Sequence, residues 1–338
     1  MLILQYKLKV MIKKIKRIGV LTSGGDSPGM NAAIRSVVRT CAYYKVDCVG
    51  IYRGYQGMIE GDFKDMGARS VHNIVNKGGT ILKSARSKDF RTEEGRKLAF
   101  ENLQKENIDA LVVIGGDGSF NGALVFNKEY HIPVIGIPGT IDNDIFGTSH
   151  TLGFDTALNT VVEAIDKIRD TASSHNRLFL VEVMGRDAGH IALNAGIGAG
   201  AEEILIPEED MGLERLLESL RRSKLSGKSS SIVVIAEGDK IGKSVFELKD
   251  YIDANMQEYD VRVSVLGHMQ RGGSPSCFDR VLASRLGVKA VESLLEGKSS
   301  FMVGLNNDQI ELTPLENAIK GHSRIDRRLL RVSEIMSI

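Results

Sequence analysis

The 338-residue chain predicts an α/β fold: two three-layer α/β/α domains with mostly parallel sheets and a ligand cleft between them. Three observations carry that prediction. Short runs rich in Val and Ile, Ala110–Ile114 and Val134–Ile137 foremost, read as buried parallel strands. Helix-length segments separate such runs along the chain, the alternation expected of βαβ units. Both runs end at once in glycine or proline followed by carboxylates, giving GGDGS at 115–119 and PGTIDND at 138–144. In open α/β sheets the ligand lies just past the carboxyl ends of the strands, so Asp117, Asp142 and Asp144 are expected to converge on one site.

Taken in order, Lys16–Leu21 reads as a strand running into the glycine loop Thr22–Asn31. A helix of about Asn31–Tyr44 follows, its free N–H groups and positive dipole end placed for phosphate. The loop matches neither the P-loop pattern nor the G-x-G-x-x-G fingerprint. Arg35 and Arg39, four apart, share a helix face, either as solvated arginines or as an anion site. Asp47–Tyr52 is a strand, and Arg53–Asp62 and Gly78–Arg86 are glycine-rich loops. Thr92 caps a helix of about Glu93–Glu106 whose first turn holds Glu93 and Glu94. Phe154–Ser173 has the clearest helical pattern, with Leu158, Val161, Val162, Ile165 and Ile168 on one face.

The second half continues in the same way. Arg177–Val183 is a strand ended by Met184–Gly189, and Ala188–Ala201 is a helix rich in small residues. Glu203–Ile206, Ser231–Ala236 and Val261–Leu266 are strands; Gly212–Lys224, Val245–Met256 and Phe278–Leu295 are helices. Glu237 ends one strand and Gly267–Pro275 follows another. Beyond Leu295 the pattern suggests helices and shows no motif. These strands are too many for one sheet, and the chain divides near residue 152.

Hydrophobic residues are 42% and charged residues 26%, the composition of a globular protein. Lys+Arg is 44 against 43 for Asp+Glu. That balance predicts neither a nucleic acid nor a membrane surface as partner. Cys41, Cys48 and Cys277 are odd in number and lack metal-ligand spacing, which suits a reducing, cytoplasmic setting. No stretch approaches the roughly 20 apolar residues of a membrane span. Met1–Val10 has a short apolar patch without a cleavage site, and Met11 precedes IKKIKRIGV, so residues 1–10 read as an extension or an upstream start.

The chemistry lies at the strand ends. Asp142 and Asp144, two apart, face the same way if the segment is extended. They can then divide labour, one taking a proton from a hydroxyl and the other holding a metal or orienting its partner. The competing reading is a turn held by Asp and Asn side chains. Asp117, between glycines, is placed to hold Mg²⁺ against a polyphosphate. Arg86, Arg177, Arg186, Arg262 and Arg271 lie in or beside loops at predicted sheet ends, and guanidinium forks match phosphate oxygens. Base, metal carboxylate, glycine cradle and arginines together suggest phosphoryl transfer to a phosphorylated hydroxyl compound.

The motifs resemble those of bacterial-type ATP-dependent 6-phosphofructokinases. The blocks are Gly19–Arg35, Gly78–Arg86, Asp109–Ser119, Pro138–Ile145, Ser173–Arg177, Val181–Arg186 and Val265–Pro275, in family order from about Lys13 to Leu295. The resemblance implies two Rossmann-like domains: 1–152 plus 265–315, binding ATP, and 153–264 plus 316–338, binding the sugar phosphate. It implies ATP on Gly25, Arg86, Ser87, Gly116, Asp117, Gly118 and Ser119, with Mg²⁺ on Asp117. Asp142 would be the base and Asp144 its support, with Thr140, Arg86 and Arg186 on the transferring group. Fructose 6-phosphate would meet Thr140, Ile141, Asp142, Met184, Gly185, Arg186, Glu237, His268, Met269, Gln270 and Arg271. Arg177 and Arg262 would reach it from a neighbouring subunit of a homotetramer.

An effector, ADP or phosphoenolpyruvate, is implied at Arg35, Arg39, Arg169, Gly200, Glu202 and Lys228. Ser226 and Ala68 stand where the family usually has cations, which predicts weakened effector sensitivity. Gly118 and Gly139 replace the Asp and Lys of pyrophosphate-using relatives, so both favour ATP. Three other readings compete: a pyrophosphate-dependent enzyme, a lipid or NAD kinase sharing GGDG, and a non-catalytic nucleotide-sensing paralogue on the same fold.

Overall fold

The computed structural model describes residues 15–172, 177–209, 211–225, 231–241 and 244–336. The predicted motif residues 173–176, with Ser226 and Lys228, lie outside them.

The first half runs β1 (Arg17–Thr22), α1 (Met30–Tyr43), β2 (Asp47–Ile51), α2 (Gly54–Glu60), β3 (Phe63–Asp65), α3 (Glu93–Lys105), β4 (Ala110–Gly115), α4 (Asp117–Tyr130), β5 (Val134–Pro138) and α5 (Phe154–Ala172). The second runs β6 (Arg177–Val183), α6 (His190–Gly198), β7 (Glu203–Leu205), α7 (Leu213–Leu225), β8 (Ser231–Ala236), α8 (Val245–Asn255), β9 (Asp260–Val265), α9 (Cys277–Leu295), β10 (Phe301–Asn306), β11 (Gln309–Pro314), α10 (Leu315–Lys320) and α11 (Arg327–Met336).

Two sheets form. The larger has the order β11-β10-β5-β4-β1-β2-β3, and only its edge strands β3 and β11 run antiparallel to their neighbours. The smaller, β7-β8-β6-β9, is parallel throughout. Period-2 alternation sends each central strand into two cores. In β4, Ala110, Val112 and Ile114 join α1 and α9 on one face, while Leu111 and Val113 meet Phe120, Phe126 and Leu103 of α3 and α4 on the other. In β6, Phe179, Val181 and Val183 face α5 and α6, whereas Leu178 and Leu180 face α7 and α8. Both sheets are therefore three-layered. The apolar stripe of α5 points inward as its spacing predicts, with Val161 and Ile165 buried and Leu158, Val162 and Ile168 packed beside them.

Two local expectations fail, and Gly267–Pro275 takes a definite form. Arg53–Asp62 is mostly helix α2, not loop. Its glycine is there for packing, because a Cβ on Gly57 would fall 1.6 Å from the Tyr52 carbonyl oxygen. Gly267–Arg271 closes into a single 3₁₀ turn. After Leu295 the chain makes a hairpin, β10–β11, before any helix. Asn307 and Asp308 form its two-residue turn with φ +47° and +62°, the left-handed pair that twists with the strands.

Candidate active site

A cavity of about 760 Å³ opens at the carboxyl ends of β1, β4 and β5. The strand order puts it there. From β1 the chain moves to β2 on one side, while β4 lies on the other, so the loops after β1 and β4 diverge and leave a crevice. Ser23–Gly25, Gly116–Ser119 and the segment Gly139–Asp144 line it. A Cβ on Gly115 would sit 2.5 Å from the Ser23 carbonyl oxygen; glycine lets the two strand ends close to that distance.

The helix that opens on this cavity is α4, not α1. The first turn of α1 is buried, and Asn31 is spent on the neighbouring loop: its amide donates to the carbonyls of Lys77 and Gly78 and accepts from Ile81 N at 2.7 Å. α4 begins at Asp117 directly after Gly116. Ser119 N and Phe120 N close on the Gly116 carbonyl, which leaves the first amides of the helix at the cavity rim. An anion there meets N–H groups and the positive end of the helix dipole.

Asp142 and Asp144 both line the cavity, but through a bend. Asn143 has φ +54°. Its side chain holds the turn, Oδ1 accepting from Thr151 N at 2.8 Å and Nδ2 donating to the Ser149 carbonyl at 3.1 Å. The turn reading is borne out, and the same turn carries both carboxylates to the cavity wall. Asp142 is 2% exposed, and its Oδ1 has no hydrogen-bond partner among the described residues. Its Oδ2 lies 3.6 Å from Arg186 Nε. Burial raises its pKa, and the charges of Arg271 and Arg186 oppose that rise. Asp144 is raised as well, by burial and then by the charge of Asp142. A buried carboxylate with one unpartnered oxygen is suited to accept a proton.

Arg186 reaches Asp142 from the small sheet. Its backbone is left-handed, with φ +53° after Gly185 at +144°. The end of β8 holds that conformation: Glu237 Oε1 accepts from Arg186 N at 2.8 Å, and a Cβ on Gly238 would strike the Arg186 carbonyl at 1.9 Å. Arg271 enters over Gly25, with its Nη1 donating to the Asp26 carbonyl at 3.2 Å. Ser87 Oγ donates to Gln56 Oε1 at 2.7 Å beside exposed Arg86.

The cavity therefore gathers Gly25, Arg86, Ser87, Gly116, Asp117, Gly118, Ser119, Thr140, Asp142, Asp144, Arg186 and Arg271. Other expected residues sit elsewhere. The Ile141 side chain is in the core. Gln270 is buried and takes structural bonds, accepting from Met184 N and donating to the Gly267 carbonyl. His268 and Met269 are exposed on the 3₁₀ turn. Arg177 and Arg262 are not at the loop end of the small sheet at all. Arg177 starts β6, Arg262 pairs with Phe179 within β9, and both bond Asp260 at the opposite edge. Arg35 and Arg39 lie on α1, whereas Arg169 donates to the Ala199 and Gly200 carbonyls and sits 3.8 Å from Glu202 beside the small sheet.

Sequence reasoning missed the cavity's aromatic wall. Tyr55 and Phe90 stack 4.1 Å apart and line it with Lys88, Arg91 and Val125. Reading α2 as loop concealed Tyr55. Among the described residues, no cluster of three or more His, Cys, Asp or Glu could hold a metal unaided, and no helix is long and apolar enough to cross a membrane.

A sequence profile for the family described as Phosphofructokinase matches residues 17–294. Curated relatives include ATP-dependent 6-phosphofructokinase 2 of Bacteroides thetaiotaomicron, 51% identical over 96% of this chain and 99% of its own length. ATP-dependent 6-phosphofructokinase 1 of Thermus thermophilus is 54% identical over 96% and 100%. Among solved structures, the phosphofructokinase of Saccharomyces cerevisiae superposes with a TM-score of 0.86 at 37% identity, covering 95% of this chain and 47% of the yeast one. A pyrophosphate-dependent phosphofructokinase from Marinobacter aquaeolei superposes with a TM-score of 0.81 at 23% identity, a likeness of fold.

Proposed function

The chain belongs to the phosphofructokinase family, and from that premise we propose how its cavity works. The reaction is transfer of the terminal phosphoryl group of ATP to the 1-hydroxyl of fructose 6-phosphate, a step of glycolysis. Asp142 is the base. Its unpartnered Oδ1 inside a buried turn is the observation that carries the reading, because a buried carboxylate oxygen left without a donor calls for one from the substrate. Thr140, Arg86 and Arg186 meet the charge of the transferring group, and the amides of Gly116–Gly118 with the Ser119 hydroxyl cradle the nucleotide phosphates. The stacked Tyr55–Phe90 wall offers an apolar face for a base.

Asp117 and Asp144 share the cavity rim, and the Asp117 charge helps to raise Asp144, so a cation between them relieves a repulsion. Two carboxylates are what Mg²⁺ uses when substrate phosphates and water complete its shell; bound there, it neutralises charge on the phosphates. Removing one preorganised donor such as Arg186 is expected to cost about 3 kcal/mol of transition-state stabilisation.

Glu237, Met184 and Gly185 form the small-sheet wall for the sugar phosphate, with His268 and Met269 on the exposed turn beside it, and buried Gln270 holds Met184 from behind. Arg177 and Arg262 sit too far round the small sheet to serve their own cavity, which supports their reaching a neighbour's site in a homotetramer. Effector binding by ADP or phosphoenolpyruvate is proposed at Arg35, Arg39, Arg169, Gly200 and Glu202, with weakened sensitivity. An initial-rate curve against sugar phosphate that shifts as strongly as in typical relatives on adding phosphoenolpyruvate overturns that weakening. The free cysteines Cys41, Cys48 and Cys277 support a cytoplasmic setting.

ATP is favoured over pyrophosphate by the names of the curated relatives and by Gly118. A Cβ there meets no protein atom, so a side chain would occupy ligand space. The test is a coupled assay with fructose 6-phosphate and either ATP or pyrophosphate, on the protein and on Asp142→Ser. ATP turnover falling by orders of magnitude in the variant is expected; equal rates remove Asp142 from the mechanism.

A further inference from the structure

A segment near the C-terminus touches both halves of the site without lining the nucleotide cavity itself. Ser323 N donates to the Asp144 carbonyl at 2.9 Å. One residue earlier, His322 makes an isolated antiparallel bridge with Ile145. One earlier again, Gly321 lies against Phe146, where a Cβ would come within 2.5 Å of the ring. Three successive residues thus press on three successive residues that leave the acid turn.

The same strap reaches the small sheet. His190, 7% exposed, is the first residue of α6 and lies four residues beyond Arg186. Its Nε2 is 3.4 Å from the Ser323 carbonyl. A carbonyl only accepts, so the imidazole carries its proton on Nε2 in this contact. Ser323 therefore bonds the acid turn with its N–H and the root of the Arg186 loop with its C=O. The loop is further tied to this region by Glu208, whose carboxylate accepts from Gly189 N at 2.9 Å.

We propose that Gly321–Ser323, with His190, is a positioning strap that sets the separation between the Asp142–Asp144 turn and the Arg186 loop. The proposal rests on the roles given to Asp142 and Arg186 above. Neither Ser323 nor His190 touches reacting atoms; both act through the backbone that carries those which do. Because the 3.6 Å approach of Arg186 to Asp142 spans two sheets, it depends on such ties, and a misplacement of about 1 Å can cost roughly a hundredfold in rate.

The test uses the full chain and three variants. Gly321→Val pushes on Phe146 at a position whose φ of −89° admits a side chain, so the effect is displacement, not backbone strain. His190→Leu removes the Nε2 donor, and His190→Gln supplies an amide N–H at similar reach. Expected are a tenfold to hundredfold fall in kcat for Gly321→Val, a smaller fall for His190→Leu, and recovery of at least half the wild-type kcat in His190→Gln. KM for ATP stays within about twofold, because the Tyr55–Phe90 wall is untouched. A folded Gly321→Val with wild-type kcat overturns the strap, and so does His190→Gln no better than His190→Leu. If Gly321→Val fails to fold, the His190 pair decides alone. An inactive wild-type protein overturns the functional reading; an active one with silent variants overturns only the strap.

Discussion

A cavity opens at each end of the seven-stranded sheet. The one at the amino ends of β1, β4 and β5 is the larger, about 1340 Å³ against about 760 Å³ at the carboxyl ends. Three of its charged side chains, Asp109, Arg17 and Glu106, are already engaged. Asp109 accepts from the main-chain N–H groups of Lys16 and Arg17, and the Arg17 guanidinium pairs with Asp65 and Glu106. At the carboxyl ends Asp142 is buried with its Oδ1 unpartnered, exposed Asp117 lies on the rim, and a helix N-terminus points the same way. Charge held ready in a dry turn marks a reaction site better than volume does.

The strongest way to break that comparison is Asp142→Asn. If the free oxygen is the base, kcat falls about a thousandfold while stability rises by about 1 kcal/mol. The sign follows from burial, which raises the pKa of Asp142. A group raised on folding contributes stability that is full below its unfolded pKa and lost as pH rises through the folded one. At neutral pH the ionised carboxylate therefore costs stability, and the amide removes that cost. A coupled assay and a thermal melt check both arms; a variant that is both active and less stable would place Asp142 with the structural acids of the other end.

Much of this contrast was legible beforehand. Val/Ile runs that stop at Gly-Gly-Asp or Pro-Gly-Thr report strand ends, because glycine is needed where backbones nearly touch and acids are tolerated where water reaches. The errors have physical causes. Gly54 and Gly57 looked like loop residues because a glycine signals either freedom or close approach, and at Gly57 it is close approach to Tyr52. The hairpin turn at Asn307–Asp308 lacks the glycine that most announces such turns, although Asn and Asp also tolerate left-handed backbone. The burial of the α1 N-terminus against Asn31 and its loop is a tertiary outcome with no local sign. The strap at Gly321–Ser323 is equally silent, since it acts through main-chain groups that every residue carries.

Gly118→Asp sharpens the comparison next. The position is open, so the fold tolerates the side chain, and any loss falls on the ligand. A carboxylate beside nucleotide phosphates costs several kcal/mol, so kcat/KM for ATP should drop on the order of a hundredfold with an unchanged melting temperature. A variant that keeps its ATP kinetics shows that the nucleotide does not pass over Gly118.

The opposite end has the mirror-image expectation. Asp109→Ala strips two main-chain N–H groups of their carboxylate acceptor. That should destabilise the protein by about 2 kcal/mol, seen in a denaturant melt, while kcat stays within about twofold. A large kcat loss without loss of stability would mean that the amino-end cavity has a catalytic part, and the distinction between the two ends would fail.

The smallest expected effect is a shift in pH dependence. A base must be deprotonated, so if Asp142 is the base the acid limb of kcat/KM should report it in the free enzyme. Burial places that limb above the ordinary carboxylate range, and the Arg271 charge is the first of the influences holding it down. Arg271→Met removes a positive charge that favours the ionised form, so the limb should move to higher pH. Rates on the plateau should also fall, since Arg271 lines the cavity, but the position of the limb is read independently of its height. If the limb stays in place, Arg271 does not govern Asp142, and the opposition to burial falls to Arg186 and the Thr140 hydrogen bond. If it moves to lower pH, the titrating group is not a carboxylate beside a cation, and the base must be sought elsewhere in the cavity.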